Sequence, residues 1–334
     1  MKDTLARLSQ SFGPSGREEE IRTQLTKELA ALDKNLAIRT DALGNLIATK
    51  PGDEKRLLLA AHMDEIALLV THIDDLGFLR FSPVGGHDPR LLLGARVIFA
   101  NGTMGTIGRE ELKDKEDLKL DKLFIDIGAS SRAEAEENCP IGSMAVFAPH
   151  FSTQGSRIMA KALDNRAGCT VLLEVIRNLP PVDYQIDFVF TVQEEVGLRG
   201  ARTAAYQLQP HLAVAVDVTR TGDTPEAPVM AVELGKGPAI KVKDRSFISH
   251  PRVKDLLEET ARSQDIPYQL EILERGGTDA GSIHLTREGI PTGVISIPTR
   301  YIHSPAEIID YRDLKNAALL LCSFLQHKDL FSSL

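Results

Sequence analysis

Apolar and polar positions divide the chain into three textures. Up to residue 65, helical periods mix with short apolar runs. A helical stretch reaches Phe12 and meets the turn Gly13-Pro14-Ser15-Gly16. A second helix follows, with Ser15 and Glu18 at capping-box spacing and Ile21, Leu25, Leu29 and Leu32 along one face. Strands are expected at 37–39 and 46–49, around the Ala42-Leu43-Gly44-Asn45 turn. The unbroken run Leu57-Leu58-Leu59-Ala60-Ala61 reads as a strand buried on both faces, since a strand with one wet face would alternate.

From 66 to about 155 the period shortens. Apolar runs at 68–73, 78–81, 96–99, 123–127 and 144–147 are separated by glycine-rich or charged turns, with one helical candidate at 132–137. That spacing predicts a small all-β barrel or sandwich. The charged run 109–122 reads as a solvated loop or hairpin. Beyond 155 helices and strands alternate again: helix 165–178, strand 185–192, helix 201–208, strand 213–218, helix 253–263, strands 268–273 and 292–297, and a last helix from 313 to about 327. Strands joined by helical crossovers build a largely parallel sheet. The expected architecture is α/β, a central mixed and largely parallel sheet flanked by helices. Its two parts, 1–65 and 156–334, are interrupted by the β insertion 66–155.

Composition narrows the function. The formal charge is 39 − 47 = −8, which repels polyanions, so nucleic acid is not expected as a partner. No segment approaches the roughly 20 apolar residues that span a bilayer, so no membrane partner is expected. The N-terminus lacks the apolar run of a signal peptide. Cys139, Cys169 and Cys322 are odd in number and far apart, fitting neither a disulfide framework nor a zinc knuckle. A cytoplasmic setting is expected.

Open α/β sheets bind ligands at strand ends, and five such places carry metal-ligand residue types. His62 and Asp64 follow the 57–61 strand on the same side, as an imidazole and a carboxylate that orients it. Asp164 opens a helix, where it serves equally as an N-cap. Glu194 and Glu195 leave a hydrophobic strand, which is costly unless a cation holds them. Asp217 lies within an apolar strand, and His303 follows the strand ending near 297. Two imidazoles and three carboxylates (His62, Asp164, Glu195, Asp217 and His303) suit two divalent ions with open positions better than a closed structural zinc site. Glu194, beside a ligand, is then free for proton transfer.

The segments Ala60-Ala61-His62-Met63-Asp64-Glu65, Lys161-Ala162-Leu163-Asp164-Asn165-Arg166, Glu194-Glu195-Val196-Gly197-Leu198-Arg199-Gly200, Asp217, Arg275-Gly276-Gly277-Thr278-Asp279-Ala280-Gly281 and Arg300-Tyr301-Ile302-His303-Ser304-Pro305 together resemble the glutamyl and tetrahedral aminopeptidase family. The resemblance spans nearly the whole chain and implies a zinc-peptidase-like fold. It implies that His62 and Asp217 hold one metal and Glu195 and His303 the other, with Asp164 bridging. Asp64 would orient His62, and Glu194 would be the general base and acid. It further implies peptide substrates with a free N-terminus, two divalent ions (zinc, with cobalt or manganese as alternatives), a dimerising β insertion, and dimers assembling into a dodecamer. Two ions lower the pKa of a shared water and stabilise the attacked carbonyl.

Competing expectations are a metal-dependent deacylase or dipeptidase of related fold, a glycoside hydrolase and a silent assembly protein. Arg275 and Arg300 read either as ordinary solvated or salt-bridged loop arginines or as candidates to meet an acidic substrate side chain, and the Gly276–Gly281 loop as a cleft lining or a plain turn.

Overall fold

The computed structural model describes residues 1–32, 35–112 and 118–332. Two bodies of structure with separate cores account for the chain: a helix-flanked sheet and a closed β-barrel. The sheet's spine is four parallel strands in the order Tyr184–Thr191, Asp53–His62, Leu212–Thr219 and Thr292–Arg300. Antiparallel strands Ala37–Thr40 and Leu46–Lys50 extend one side. Glu307–Asp310, Arg157–Ala160 and Phe151–Gln154 extend the other. A side branch, Ala239–Lys243 with Gln269–Ile272, pairs onto Thr292–Arg300.

The 57–61 run is buried on both faces, as expected. Leu57, Leu59 and Ala61 pack in the main core with helices Glu19–Ala30 and Leu163–Arg177, while Leu58 and Ala60 pack with Ala201, Ala204 and Ala205 of helix Arg199–Leu208. This two-sided burial fixes the strand and therefore the facing of His62, which continues the Leu58–Ala60 face. On the neighbouring strand Ala215 is in register with Ala60, so Asp217 continues the same face two residues on.

The barrel has strand order Ala67–Ile73, Leu79–Val84, Leu123–Asp126, Met104–Arg109, Arg96–Phe99 and Met144–Phe147. Closure removes free edges from a small sheet. Its own core includes Val70, Leu79, Val97, Ile107 and Ile125. The charged run at 109–122 falls partly outside the described residues. Its described ends are the end of strand Met104–Arg109 and a short 3-10 turn, Leu120–Lys122.

Several short strands lacked a readable period: Met104–Arg109, Phe151–Gln154, Arg157–Ala160, Ala239–Lys243 and Glu307–Asp310. Each is six residues or fewer, and Lys241 and Glu307 are buried polar residues inside them. Among the described residues no helix is long and apolar enough to cross a membrane.

Candidate metal centre

The parallel strands deliver the chemistry at their carboxyl ends. His62 is the last residue of its strand and stands in register with Thr191, the last of the next. Glu194 and Glu195 follow Thr191, and His303 follows strand Thr292–Arg300. Asp164 arrives from the start of helix Leu163–Arg177, where its own backbone is not helical. Asp164 does not cap this helix. Asn165 does, its Oδ1 accepting from the Gly168 N–H at 2.9 Å while its amide donates to the Val216 carbonyl. The Asp164 carboxylate is left free to face inward.

All seven side chains singled out in the sequence meet here. His62 Nε2 lies 3.0 Å from Asp164 Oδ1, 3.6 Å from Asp217 Oδ1 and 3.9 Å from Glu194 Oε2. His303 Nε2 lies 3.4 Å from Asp164 Oδ2 and 3.1 Å from Glu195 Oε2. Asp164 thus turns one oxygen to each imidazole. Glu194 and Glu195 sit on a tight turn rather than an extended segment, with the Gly197 and Leu198 N–H groups donating to the Glu194 carbonyl. Their carboxylates reach different histidines.

Asp64 organises this turn from behind. It is fully buried, accepts from the backbone N–H of Glu194 at 3.1 Å and of Glu195 at 3.3 Å, and receives the Ser15 hydroxyl at 2.6 Å. Its backbone carbonyl lies within hydrogen-bond distance of His62 Nδ1, at 3.3 Å, and its carboxylate is 3.6 Å from the same nitrogen. A proton held on Nδ1 leaves Nε2 as the nitrogen that faces the carboxylates and that would bind a cation once its own proton is lost.

The electrostatics are those of a site short of positive charge. Burial would lower the pKa of His62, but Glu194, Asp164, Asp217 and Asp64 raise it well above the usual imidazole range. Burial likewise opposes His303, yet Glu195 and Asp164 push it up to about 12. Burial raises Glu194 well above the carboxylate range, with Asp217 and Glu195 adding to the rise. Asp164 is the exception: burial would raise it, but His303 and His62 hold it low. Lys161 and Arg166, the nearby buried cations, are engaged by Glu65, at 2.7 Å and 3.3 Å.

Four supporting residues were given no place in the site by the sequence. Ser15 and Glu18 look like a capping box, but Ser15 serves Asp64 and Glu18 accepts from the N–H groups of Gly16 and Gln193. Glu307 is 2% exposed and takes the Asp164 N–H on one oxygen and the His303 N–H on the other, at 2.9 and 2.8 Å. It pins two loops that are 139 residues apart; only its place four residues after His303 in a Ser-Pro turn hints at this. Asp279 is buried behind the site. Arg300 is committed elsewhere: it forms a forked pair with Asp223, at 3.0 and 2.7 Å, and is not available to a substrate. The barrel also reaches the site. A Cβ on Gly85 would stand 3.3 Å from Glu195 Cβ and 2.6 Å from Ile66, and its φ of +82° favours glycine as well.

Glu307→Ala should weaken divalent-metal affinity about 10–100-fold, as loss of a group that orients ligands does. Glu307→Gln keeps an acceptor for only one of the two N–H groups and should fall between. Titration calorimetry of the metal-free variants checks both.

A cleft of about 520 Å³ opens over this cluster, lined beyond it by Arg220, Arg245, Ser246, Arg275, Gly276 and Gly277. The family model for M42 glutamyl aminopeptidases matches residues 44–320. A relative from Acetivibrio thermocellus is 54% identical over 323 residues, covering 96% of this chain and 97% of its own. The lysyl aminopeptidase of Pyrococcus furiosus is 35% identical over 341 residues, covering 97% and 96%. The TET1 peptidase of Pyrococcus horikoshii, described as assembling into a tetrahedron or a large octahedral shell, superposes with a TM-score of 0.86 at 36% identity, covering 97% of this chain and 98% of that one. With a peptidase-like sheet, an inserted barrel and this match over most of its length, the chain belongs to the M42 glutamyl aminopeptidase family and is an aminopeptidase.

Proposed function

We propose that this aminopeptidase removes N-terminal residues from peptides with a free α-amino group, using two divalent ions and Glu194 as general base and acid. The observation that carries this reading is the Asp164 carboxylate, with one oxygen toward His62 and the other toward His303.

The donor set fits a pair of cations. Two imidazole Nε2 atoms and four carboxylates crowd together; ligand atoms of His62, Asp164 and Glu195 lie within 4.8 Å of one another, as do those of His62, Glu194 and Asp217. His62 and Asp217 would hold one ion, Glu195 and His303 the other, and Asp164 both, with zinc, cobalt or manganese as borderline ions suited to mixed nitrogen and oxygen donors. When bound, such a pair supplies Lewis acidity to a water and to the scissile carbonyl. Glu194 takes the proton from the attacking water at a carboxylate oxygen and returns it to the leaving amine. Asp64 keeps His62 in the required tautomer and fixes the Glu194 and Glu195 backbone. Glycoside hydrolysis asks for two carboxylates flanking a sugar; the close imidazoles have no place in it.

The family name and the lysyl name of one relative differ over the preferred first residue, so this chain's own cleft must decide. Arg220, Arg245 and Arg275 line it and are exposed, so their charges are open to a substrate side chain. We read the preference as acidic. As the family resemblance implies, the barrel would join dimers and six dimers would close a dodecamer, the assembly in which a TET1 structure 36% identical to this chain is described. The three free cysteines suit a reducing, cytoplasmic setting.

The test is a panel of aminoacyl arylamides on the metal-loaded protein. Glutamyl and aspartyl substrates should turn over fastest and N-acetylated ones not at all. Replacing Arg245 and Arg275 by Gln should cut the acidic preference about tenfold. Cleavage confined to acetylated substrates would establish the deacylase instead.

A further inference from the structure

The segment from Thr278 to Ser282 follows the cleft-lining Arg275, Gly276 and Gly277, and it holds the turn that bears Glu194 and Glu195 at both ends. At the entry, Thr191 donates its hydroxyl to Asp279 Oδ2 at 2.5 Å. Thr191 ends its strand beside His62, and its carbonyl receives the Met63 N–H at 2.8 Å. At the exit, Ser282 donates its hydroxyl to the Leu198 carbonyl at 3.0 Å. Between them Gly281 lies so close that a Cβ would stand 3.1 Å from Leu198 Cδ1 and 2.4 Å from Ser246 Oγ.

Asp279 is an expensive way to make one contact. It is 2% exposed, and its Oδ1 has no hydrogen-bond partner among the described residues. A buried carboxyl with an unused oxygen costs more than an apolar residue would. Burial drives its pKa up to about 7, His62 opposing and Asp217 and Asp64 adding to the rise. Its bonded oxygen fixes the Thr191 hydroxyl. The geometry it fixes is the strand end from which Glu194 departs.

We propose that Asp279 is a positioning residue: through Thr191 it straps the cleft-lining segment to the catalytic turn and holds Glu194 in place for proton transfer. The proposal rests on the peptidase reading of Glu194. It predicts a defect in turnover rather than in metal or substrate binding, because Asp279 forms no hydrogen bond to the metal-ligating side chains.

The experiment compares Asp279→Ala, Asp279→Asn, Thr191→Val and the Asp279→Ala/Thr191→Val double variant, metal-loaded, on the wild type's best arylamide. Asp279→Ala should lower kcat about 10–100-fold, with KM within about threefold and metal stoichiometry unchanged. Asp279→Asn, which keeps an acceptor for Thr191, should recover most of the loss. Thr191→Val should match Asp279→Ala, and the double variant should be no worse than either, since all break one contact. A kcat for Asp279→Ala or Thr191→Val within twofold of wild type, loss of metal, or additive defects would each overturn the proposal. Should Asp279→Ala fail to fold, the near-isosteric Thr191→Val carries the same test. Inactivity of the wild type toward every free-amino substrate would instead defeat the peptidase reading itself.

Discussion

Glu194→Gln, in metal-loaded protein, should lower kcat on the order of a thousandfold while both ions remain bound. The amide is nearly isosteric and still fits the turn that Asp64 holds through the Glu194 and Glu195 N–H groups. It cannot accept the water's proton, and positioned acid–base groups contribute about 10²–10⁴-fold. Burial raises the carboxyl of Glu194, and Asp217, Glu195 and Asp279 repel its charge further. Bound cations would oppose that rise and bring the group back toward working pH. Parallel measurement of kcat and of metal per chain checks the prediction. A variant with wild-type kcat would remove Glu194 from the reaction.

Asp164→Ala should have the opposite signature, losing metal first and activity as a consequence. Its two oxygens face His62 and His303, so both halves of the site lose a donor at once. We expect metal stoichiometry after dialysis to drop below one ion per chain and turnover to become undetectable. The pH dependence has a definite sign. In the metal-free protein His303 has a pKa pushed up to about 12 and His62 one raised well above its ordinary value. The surrounding carboxylates thus favour the protonated imidazoles, and an imidazole must shed that proton to bind an ion. Apparent metal affinity should fall as pH is lowered, and binding should release protons. Calorimetry in buffers of different ionisation enthalpy counts them.

The strongest signals in the sequence were those set by the sheet. A five-residue apolar run located the central strand and the residues leaving it, because burial on both faces admits nothing polar until the strand ends. Asp217 was visible for the same reason, as one acid in the apolar strand Leu212–Thr219. What stayed hidden was the support. Glu307 and Asp279 act through contacts with Asp164 and Thr191, 143 and 88 residues away, and no local period encodes such a contact. Ser15 and Glu18 misled, since their spacing suits a helix cap while their side chains answer to Asp64 and Gln193. Arg300 is salt-bridged, the plainer of its two readings, but its partner Asp223 comes from a loop that no sequence spacing places beside it.

The most direct test is a crystal structure of the metal-loaded protein with anomalous scattering at the metal edge. Two peaks about 3.5–4 Å apart, flanked by His62 and Asp217 on one side and Glu195 and His303 on the other with Asp164 between, is the result expected. A single peak, or peaks remote from Asp164 in fully loaded and active enzyme, would contradict it.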